Sequence, residues 1–406
     1  MCENRKGDAA LDENEFDVDR ARRETPGCEH VLHFNNAGAS LMPVPVLETM
    51  VEYLRREAAA GGYETAERSA GALEGVYDAL AELLACRREE IAFIENATRA
   101  WDMAFYSIPF KPGDRILTSV SEYASNYIAF LQTSRRTGAV VEPVPNDASG
   151  RVCLESLERM IDDRVKLVAV THVPTNGGLV QPVGEIGKIA RSAGVLFLLD
   201  ACQSVGQIPL DVEALGCDIL SGTGRKYLRG PRGTGFLFIR RSLLESLEPV
   251  FLDLHAATWT AKDRYEIRPD ARRFENWETN FAGKAGLAAA VRYALSWGME
   301  NIRERVAGLA ESLRGTLAGL PGVSVHDLGI KKCGIVSFTI EGREPEEIKR
   351  LLGEQRMNVS VSGVESTRLD MERRGLGSVV RASVHYYNTA GEIERFSAAV
   401  SRLASA

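Results

Sequence analysis

From about Asn35 to Arg240, short apolar runs alternate with stretches whose apolar residues recur at helical spacing. Arg115–Val120 (RILTSV), Val140–Pro145, Lys166–Thr171 (KLVAVT), Val195–Asp200 (VLFLLD), Asp218–Gly222 and Gly235–Arg240 (GFLFIR) read as strands, and several are apolar along their whole length. A strand without a polar face must be covered on both sides, so the pattern predicts an α/β domain with helices against both faces of one sheet. Helices are predicted at Glu155–Ile161 and Val183–Ser192 (VGEIGKIARS), the second ended by a left-handed turn at Gly194. A helix around Asn301–Leu317 opens a second region. Strands at Gly334–Ile340 and Val379–Val384, a helix between them at Glu344–Gln355, and a closing helix from about Ala390 to Leu403 predict a smaller α+β unit. No internal repeat interrupts this order.

Composition narrows the class without giving a function. The chain has 406 residues, 45% hydrophobic and 26% charged, enough apolar material for two or three domains and too much for a disordered chain. Lys and Arg total 49 against 56 Asp and Glu, a net charge of −7, and the basic residues are dispersed. Such a chain lacks the basic field that attracts nucleic acid. The seven cysteines (Cys2, Cys28, Cys86, Cys153, Cys202, Cys217, Cys333) form no C-x-x-C pair, so neither a metal site nor a disulfide framework is expected. Residues 1–27 lack the layout of a secretory signal, and the longest apolar runs are strand-sized, far below the roughly 20 residues that span a bilayer. A soluble cytoplasmic protein with no membrane partner is the expectation.

Two stretches carry candidate chemistry. Val195–Gln203 (VLFLLDACQ) puts Asp200 at the carboxyl end of an apolar strand, where open α/β sheets bind ligands. Ser221–Phe236 (SGTGRKYLRGPRGTGF) embeds Lys226 among Gly222, Gly224, Gly230, Gly233 and Gly235. Taken alone, Asp200 also reads as a turn cap and Lys226 as part of a flexible loop. A P-loop is excluded because Tyr227 follows the lysine where Ser or Thr is required. A dinucleotide fingerprint is excluded because Gly222-Thr223-Gly224 comes late and lacks its third glycine. A lysine acting as a nucleophilic amine suits a carbonyl cofactor, and pyridoxal phosphate pairs its ring nitrogen with an Asp.

The run from His172 to Arg240 (HVPTNGGLVQPVGEIGKIA through LLDACQSVGQIPLDVEALGCDILSGTGRKYLRGPRGTGFLFIR) resembles the class V aminotransferase family of fold-type I pyridoxal-phosphate enzymes. The likeness extends from FNNAGASLMP at Phe34–Pro43 to RASVHYYNT at Arg381–Thr389. That family includes cysteine desulfurases, selenocysteine lyases, isopenicillin N epimerase-like proteins and the carbon–sulfur lyases of ergothioneine synthesis. The resemblance implies an α/β fold with a large domain over 35–286, built on a mostly parallel sheet of the seven-stranded type, and a small α+β domain from 1–34 and 287–406. It also implies pyridoxal 5'-phosphate as cofactor, an amino-acid substrate, and a homodimer with active sites at the subunit interface.

By the same resemblance, Lys226 is the Schiff-base lysine, Asp200 keeps the ring nitrogen protonated, and Gln203 hydrogen-bonds the ring's phenolic oxygen. Tyr123, in Glu122-Tyr123-Ala124-Ser125-Asn126, takes the place of the catalytic aromatic stacked on the ring. Relatives carry His there, and a Tyr titrating near pH 10, roughly, keeps the stacking but not the acid–base role. Ala97 through its N–H and Thr98 through its hydroxyl match a phosphate cup at a helix N-terminus. Thr223 and Arg225 match residues that face phosphate, and Thr279, in RFENWET at Arg273–Thr279, matches a loop that reaches the neighbouring subunit's phosphate. Arg381 matches the arginine that binds the substrate's α-carboxylate. Asn36 and Ala37, after Asn35, match a segment lining the substrate mouth. Asn176 or the adjacent Thr175 matches a contact to the ring oxygen, and His255 with Trp259 borders the substrate pocket, although His255 reads equally as a hydrogen-bonded structural histidine.

One departure bears on the reaction. Desulfurases place a nucleophilic cysteine on a small-domain loop before the strand that opens with the substrate arginine, and the matching segment here, Val359–Val380 (VSVSGVESTRLDMERRGLGSVV), holds none. The expectation is therefore β-elimination from a sulfur-substituted cysteine, a carbon–sulfur lyase. Epimerisation or transamination of an amino acid is the alternative, and transfer of sulfur to an acceptor is disfavoured.

Overall fold

The computed structural model describes residues 16–405. Expectations that fall on residues 1–15, Cys2 and the start of the small domain among them, lie outside the described residues. Strand β1 (Leu32–His33) precedes the main sheet. That sheet comprises β2 (Ile91–Ile94), β3 (Arg115–Ser119), β4 (Val140–Val144), β5 (Val165–Thr171), β6 (Leu196–Asp200), β7 (Ile219–Thr223) and β8 (Gly235–Ile239), in the order β2-β8-β7-β6-β5-β3-β4. Neighbours from β7 across to β4 are parallel, and β8 runs against both of its neighbours. This is the mostly parallel α/β sheet that the apolar strands predict.

Burial accounts for the pattern. β2, β3, β7 and β8 are buried at every position, and alternate residues enter opposite cores. On β6, Phe197 and Leu199 join one core and Leu198 the other. The edge strand β4 is the exception, with Val140 exposed. The helices that position the site are α1 (Val44–Ala60), α2 (Ala70–Leu84), α3 (Ala97–Phe105), α4 (Ala124–Thr137), α5 (Val183–Ser192) and α6 (Phe281–Trp297). Past the end of α5, Gly194 adopts φ 67°, in the left-handed region.

A hairpin of β9 (Ala257–Ala261) and β10 (Arg264–Ile267) leads toward α6, which packs against α1 and α2. α6 runs through residue 286 without a break and ends at Gly298, where φ is 76° and α7 (Met299–Ala318) begins. The second unit holds β11 (Val323–Val325), β12 (Ile335–Ile340), α8 (Pro345–Glu354), β13 (Met357–Asn358), β14 (Ser360–Gly363), β15 (Ser378–Ser383) and α9 (Ala390–Ser405). Its antiparallel sheet has the order β11-β12-β15-β14. The N-terminal segment crosses into this unit, because β1 pairs with β13 and Asn35 bridges to Ser383. Among the described residues, no helix is long and apolar enough to cross a membrane, and no group of three His, Cys, Asp or Glu side chains is placed to hold a metal.

Candidate active site

The carboxyl ends of β5, β6 and β7, with the starts of α3 and α4, surround one cavity. Of the residues singled out in the sequence, Ala97, Thr98, Tyr123, Thr175, Asp200, Gln203, Thr223, Arg225 and Lys226 line it. Lys226 rides on the loop between β7 and β8. The Gly224 N–H donates to the Thr234 carbonyl at 3.0 Å and the Gly230 N–H to the Gly224 carbonyl at 2.8 Å, which closes that loop. Arg229, buried at φ 58°, then ties it to distant chain. Its guanidinium donates to the Leu41 carbonyl (2.9 Å), the Tyr386 hydroxyl (2.7 Å) and the Thr25 hydroxyl. A non-glycine residue in that conformation persists only where its surroundings hold it there.

The cavity is cationic. Burial pulls the Lys226 ammonium down to about 8, so a useful fraction of the amine is neutral near pH 7. Burial also lowers the Arg225 guanidinium, and it brings Arg381 down to about 10. Asp200, buried, is the carboxylate that lines the cavity with Lys226 and Arg225. Its Oδ1 accepts the Cys202 N–H at 2.9 Å and its Oδ2 accepts from Asn126 Nδ2 at 3.0 Å. Cys202 also lines the cavity, but burial and the Asp200 charge hold its thiol far above the ordinary range. A thiol so placed stays protonated and is a poor nucleophile.

One end of the cavity is built for an anion. Asn96 caps α3, its Oδ1 accepting the Arg99 N–H at 2.9 Å, which leaves the first-turn N–H groups directed out of the helix beside the Thr98 hydroxyl. β8 lies directly under that terminus, since a Cβ on Gly235 would stand 2.8 Å from the Ala97 nitrogen and 2.7 Å from the Asn96 carbonyl carbon. The Gln203 side chain donates through Nε2 to the Ala37 carbonyl at 3.1 Å, while its buried Oε1 has no partner. A cationic amine, a fixed carboxylate, an unpartnered amide oxygen and a helix N-terminus around one cavity fit pyridoxal phosphate.

Other sequence-derived candidates lie elsewhere. Asn176 does not line the cavity: its amide donates to the Thr367 hydroxyl at 2.7 Å and its oxygen accepts from Ser362, so Thr175 takes the wall position. Arg381 stands behind that wall, donating through Nη1 to Thr175 and through Nε to the Ser360 hydroxyl at 3.0 Å. Asn36 is fully buried, with its amide on the Ser383 carbonyl at 2.7 Å and its oxygen on the Tyr387 hydroxyl. Ala37 is buried beside it, a step back from the cavity. His255 is held by Glu275 at 3.2 Å, and Trp259 is 77% exposed on the β9–β10 hairpin. Thr279 lines a separate surface hollow with Phe93, Glu95 and Glu278. Within one chain, then, His255, Trp259 and Thr279 do not reach the cavity.

Sequence reasoning passed over Asn126, Thr171 and Glu122. Asn126 and Thr171 line the cavity, and buried Glu122 accepts hydrogen bonds from both. Burial pushes the Glu122 carboxyl up while these donors pull it down. The signal was an acid and an amide four residues apart at the start of a helix, next to Tyr123.

Known proteins resemble this chain over most of its length. The family model described as aminotransferase class-V matches residues 32–396. A probable cysteine desulfurase of Methanothermobacter thermautotrophicus is 31% identical over 92% of this chain and 94% of its own. The apo structure of a cysteine desulfurase from Thermococcus onnurineus superposes with a TM-score of 0.88 at 29% identity, covering 95% of this chain and 98% of that one. The cystine C–S lyase C-DES, solved with its product cysteine persulfide, superposes with a TM-score of 0.84 at 25% identity, covering 94% and 99%.

Proposed function

This chain belongs to the aminotransferase class-V family and is a pyridoxal-phosphate-dependent enzyme, and from that premise we propose that it cleaves the carbon–sulfur bond of a sulfur-substituted cysteine by β-elimination. The observation that carries this reading is the absence of a usable thiol. Val359–Val380 contains no cysteine, and Cys202 at the cavity is held protonated. With no acceptor thiol at the cavity among the described residues, the sulfur leaves with its electron pair.

In this reading the substrate's α-carboxylate settles against Thr175 and Arg225, with Arg381 behind Thr175 adding to the positive field. Lys226, its amine partly neutral, takes the proton from Cα. Bound pyridoxal phosphate supplies the sink for the negative charge left at Cα. Asp200 would hold the proton at the ring nitrogen, Tyr123 would lie against the ring, and Ala97, Thr98 and Thr223 would hold the phosphate. The Cβ–S bond breaks, the sulfur departs as a thiol or persulfide, and one water is consumed as the remainder becomes pyruvate and ammonium. Cystine is the substrate class we favour, by likeness to the C–S lyase C-DES.

A second reading, cysteine desulfurase, is favoured by the names of the relatives. The two differ in product. A desulfurase leaves alanine and a protein-bound persulfide, whereas β-elimination leaves pyruvate. Assay of the holoenzyme against thioether, disulfide and sulfoxide derivatives of cysteine, with Cα–H exchange followed in parallel, separates them. Pyruvate supports elimination, alanine supports the desulfurase, and exchange without either product supports an epimerase.

We further propose a homodimer. Phe251, Leu254, Trp259, Tyr265 and Trp277 form an exposed apolar surface beside the segment that carries Thr279, the kind of patch that a partner covers. The free thiols of Cys28, Cys86, Cys153, Cys202, Cys217 and Cys333 support a cytoplasmic location.

A further inference from the structure

Two buried carboxylates share one amide. Asn126 Nδ2 lies 2.8 Å from Glu122 Oε1 and 3.0 Å from Asp200 Oδ2. Both neighbours are acceptors, so the amide has one possible orientation, with its NH2 between them. Asp200 thereby receives one donor on each oxygen, Asn126 on Oδ2 and the Cys202 N–H on Oδ1, which fixes the plane of the carboxylate and leaves a lone pair on each oxygen. Glu122 is itself held from every side. Its Oε1 accepts from the Tyr123 N–H at 3.0 Å and the Thr171 hydroxyl, and its Oε2 from the Thr171 N–H at 2.9 Å and the Thr118 hydroxyl at 3.1 Å.

We propose that Glu122 is a positioning residue, acting through the Asn126 amide to hold the Asp200 carboxylate in the orientation that meets the cofactor's ring nitrogen. The chemistry requires a carboxylate at 122. Each of its oxygens faces at least one group that can only donate, Asn126 and the Tyr123 N–H on one and the Thr171 N–H on the other. Glutamine would set its own NH2 against one of them. If Asn126 turned over to relieve that clash, its oxygen would face Asp200 and the donor would be lost. The Asn126 amide is therefore the hydrogen-bonded bridge between the two buried acids.

The inference rests on Asp200 as the ring-nitrogen partner, so the test includes Asp200→Asn. Glu122→Gln, Asn126→Ala, their double variant and Asp200→Asn are prepared as holoenzymes. Pyridoxal-phosphate Kd is measured by equilibrium dialysis, together with the absorbance spectrum of the bound cofactor and the melting temperature. Loss of a hydrogen bond to a charged group predicts about a tenfold or greater rise in Kd for Asn126→Ala and Glu122→Gln, with a shifted spectrum. Glu122→Gln should add nothing to Kd or spectrum in the Asn126→Ala background. Effects on Kd that add across the pair, or a folded Asn126→Ala protein with native Kd and spectrum, overturn the proposal. If Glu122→Gln does not fold, Asn126→Ala decides it alone. An Asp200→Asn protein with unchanged Kd and spectrum instead removes the reading of Asp200 on which the inference stands.

Discussion

The Arg229 guanidinium donates to the Tyr386 hydroxyl at 2.7 Å, joining the lysine loop of the large unit to the segment that follows β15 in the small one. Arg229 is also stacked against the Tyr387 ring, 4.6 Å from its centroid, and is held at φ 58°. Lys226 sits three residues away, so the placement of the reactive amine depends on contacts made by both ends of the chain. Arg229→Ala removes three hydrogen bonds and leaves the Tyr386 and Thr25 hydroxyls short of a partner. We expect a loss of about 3 kcal/mol of stability, read by urea denaturation, with turnover falling further than cofactor content.

The lowered pKa of Lys226 sets a pH dependence for cofactor capture. With a value of about 8 in place of the usual 10.5, roughly a tenth of the amine is neutral at pH 7. The rate at which cofactor-free protein takes up pyridoxal phosphate should rise almost tenfold from pH 6 to pH 7 and level off above about pH 8. Stopped-flow absorbance measures it. A rate still climbing tenfold per unit at pH 9 means that the lysine is not depressed.

Gly235 is a probe of the phosphate cup. A methyl group there meets the Ala97 nitrogen at 2.8 Å, so Gly235→Ala must push α3 outward. Affinity for pyridoxal phosphate should fall by about tenfold or more, while affinity for unphosphorylated pyridoxal changes little. Equal losses for both compounds mean that the substitution disturbs the ring site instead.

Cys202 tests whether any thiol takes part. Burial and Asp200 keep it protonated, so Cys202→Ala should retain kcat/KM to within about twofold, and iodoacetamide at neutral pH should leave the enzyme active. A loss of about a hundredfold on substitution assigns a sulfur-accepting role to this residue.

Much of the fold was legible because the strands of the main sheet are apolar on both faces, and a chain with that pattern has few other ways to bury them. Asp200 was legible because it ends an apolar strand, and Lys226 because it stands in a glycine-rich loop just past another. The Asn126–Asp200 contact was not, since 74 residues separate the two and Glu122 to Asn126 reads as an ordinary helix start. Thr175 and Asn176 are adjacent in a loop without periodicity, so spacing does not say which side chain turns inward. Gly283 and Gly286 lie inside an unbroken helix although glycine disfavours one. Within α6 they permit close packing instead: a Cβ on Gly286 would lie 2.6 Å from Met50 of α1. His255 and Trp259 were placed by resemblance alone, and the Glu275 contact of His255 had no sequence signal.

The most direct test of the central claim is the product formed from cystine by the purified holoenzyme. β-Elimination without sulfur transfer to the protein predicts one pyruvate and one ammonium for each cystine consumed, with cysteine persulfide released to solution and no persulfide on the protein by mass spectrometry. Alanine as the amino-acid product of cysteine, with a sulfur atom left on one of this chain's own cysteines, contradicts it.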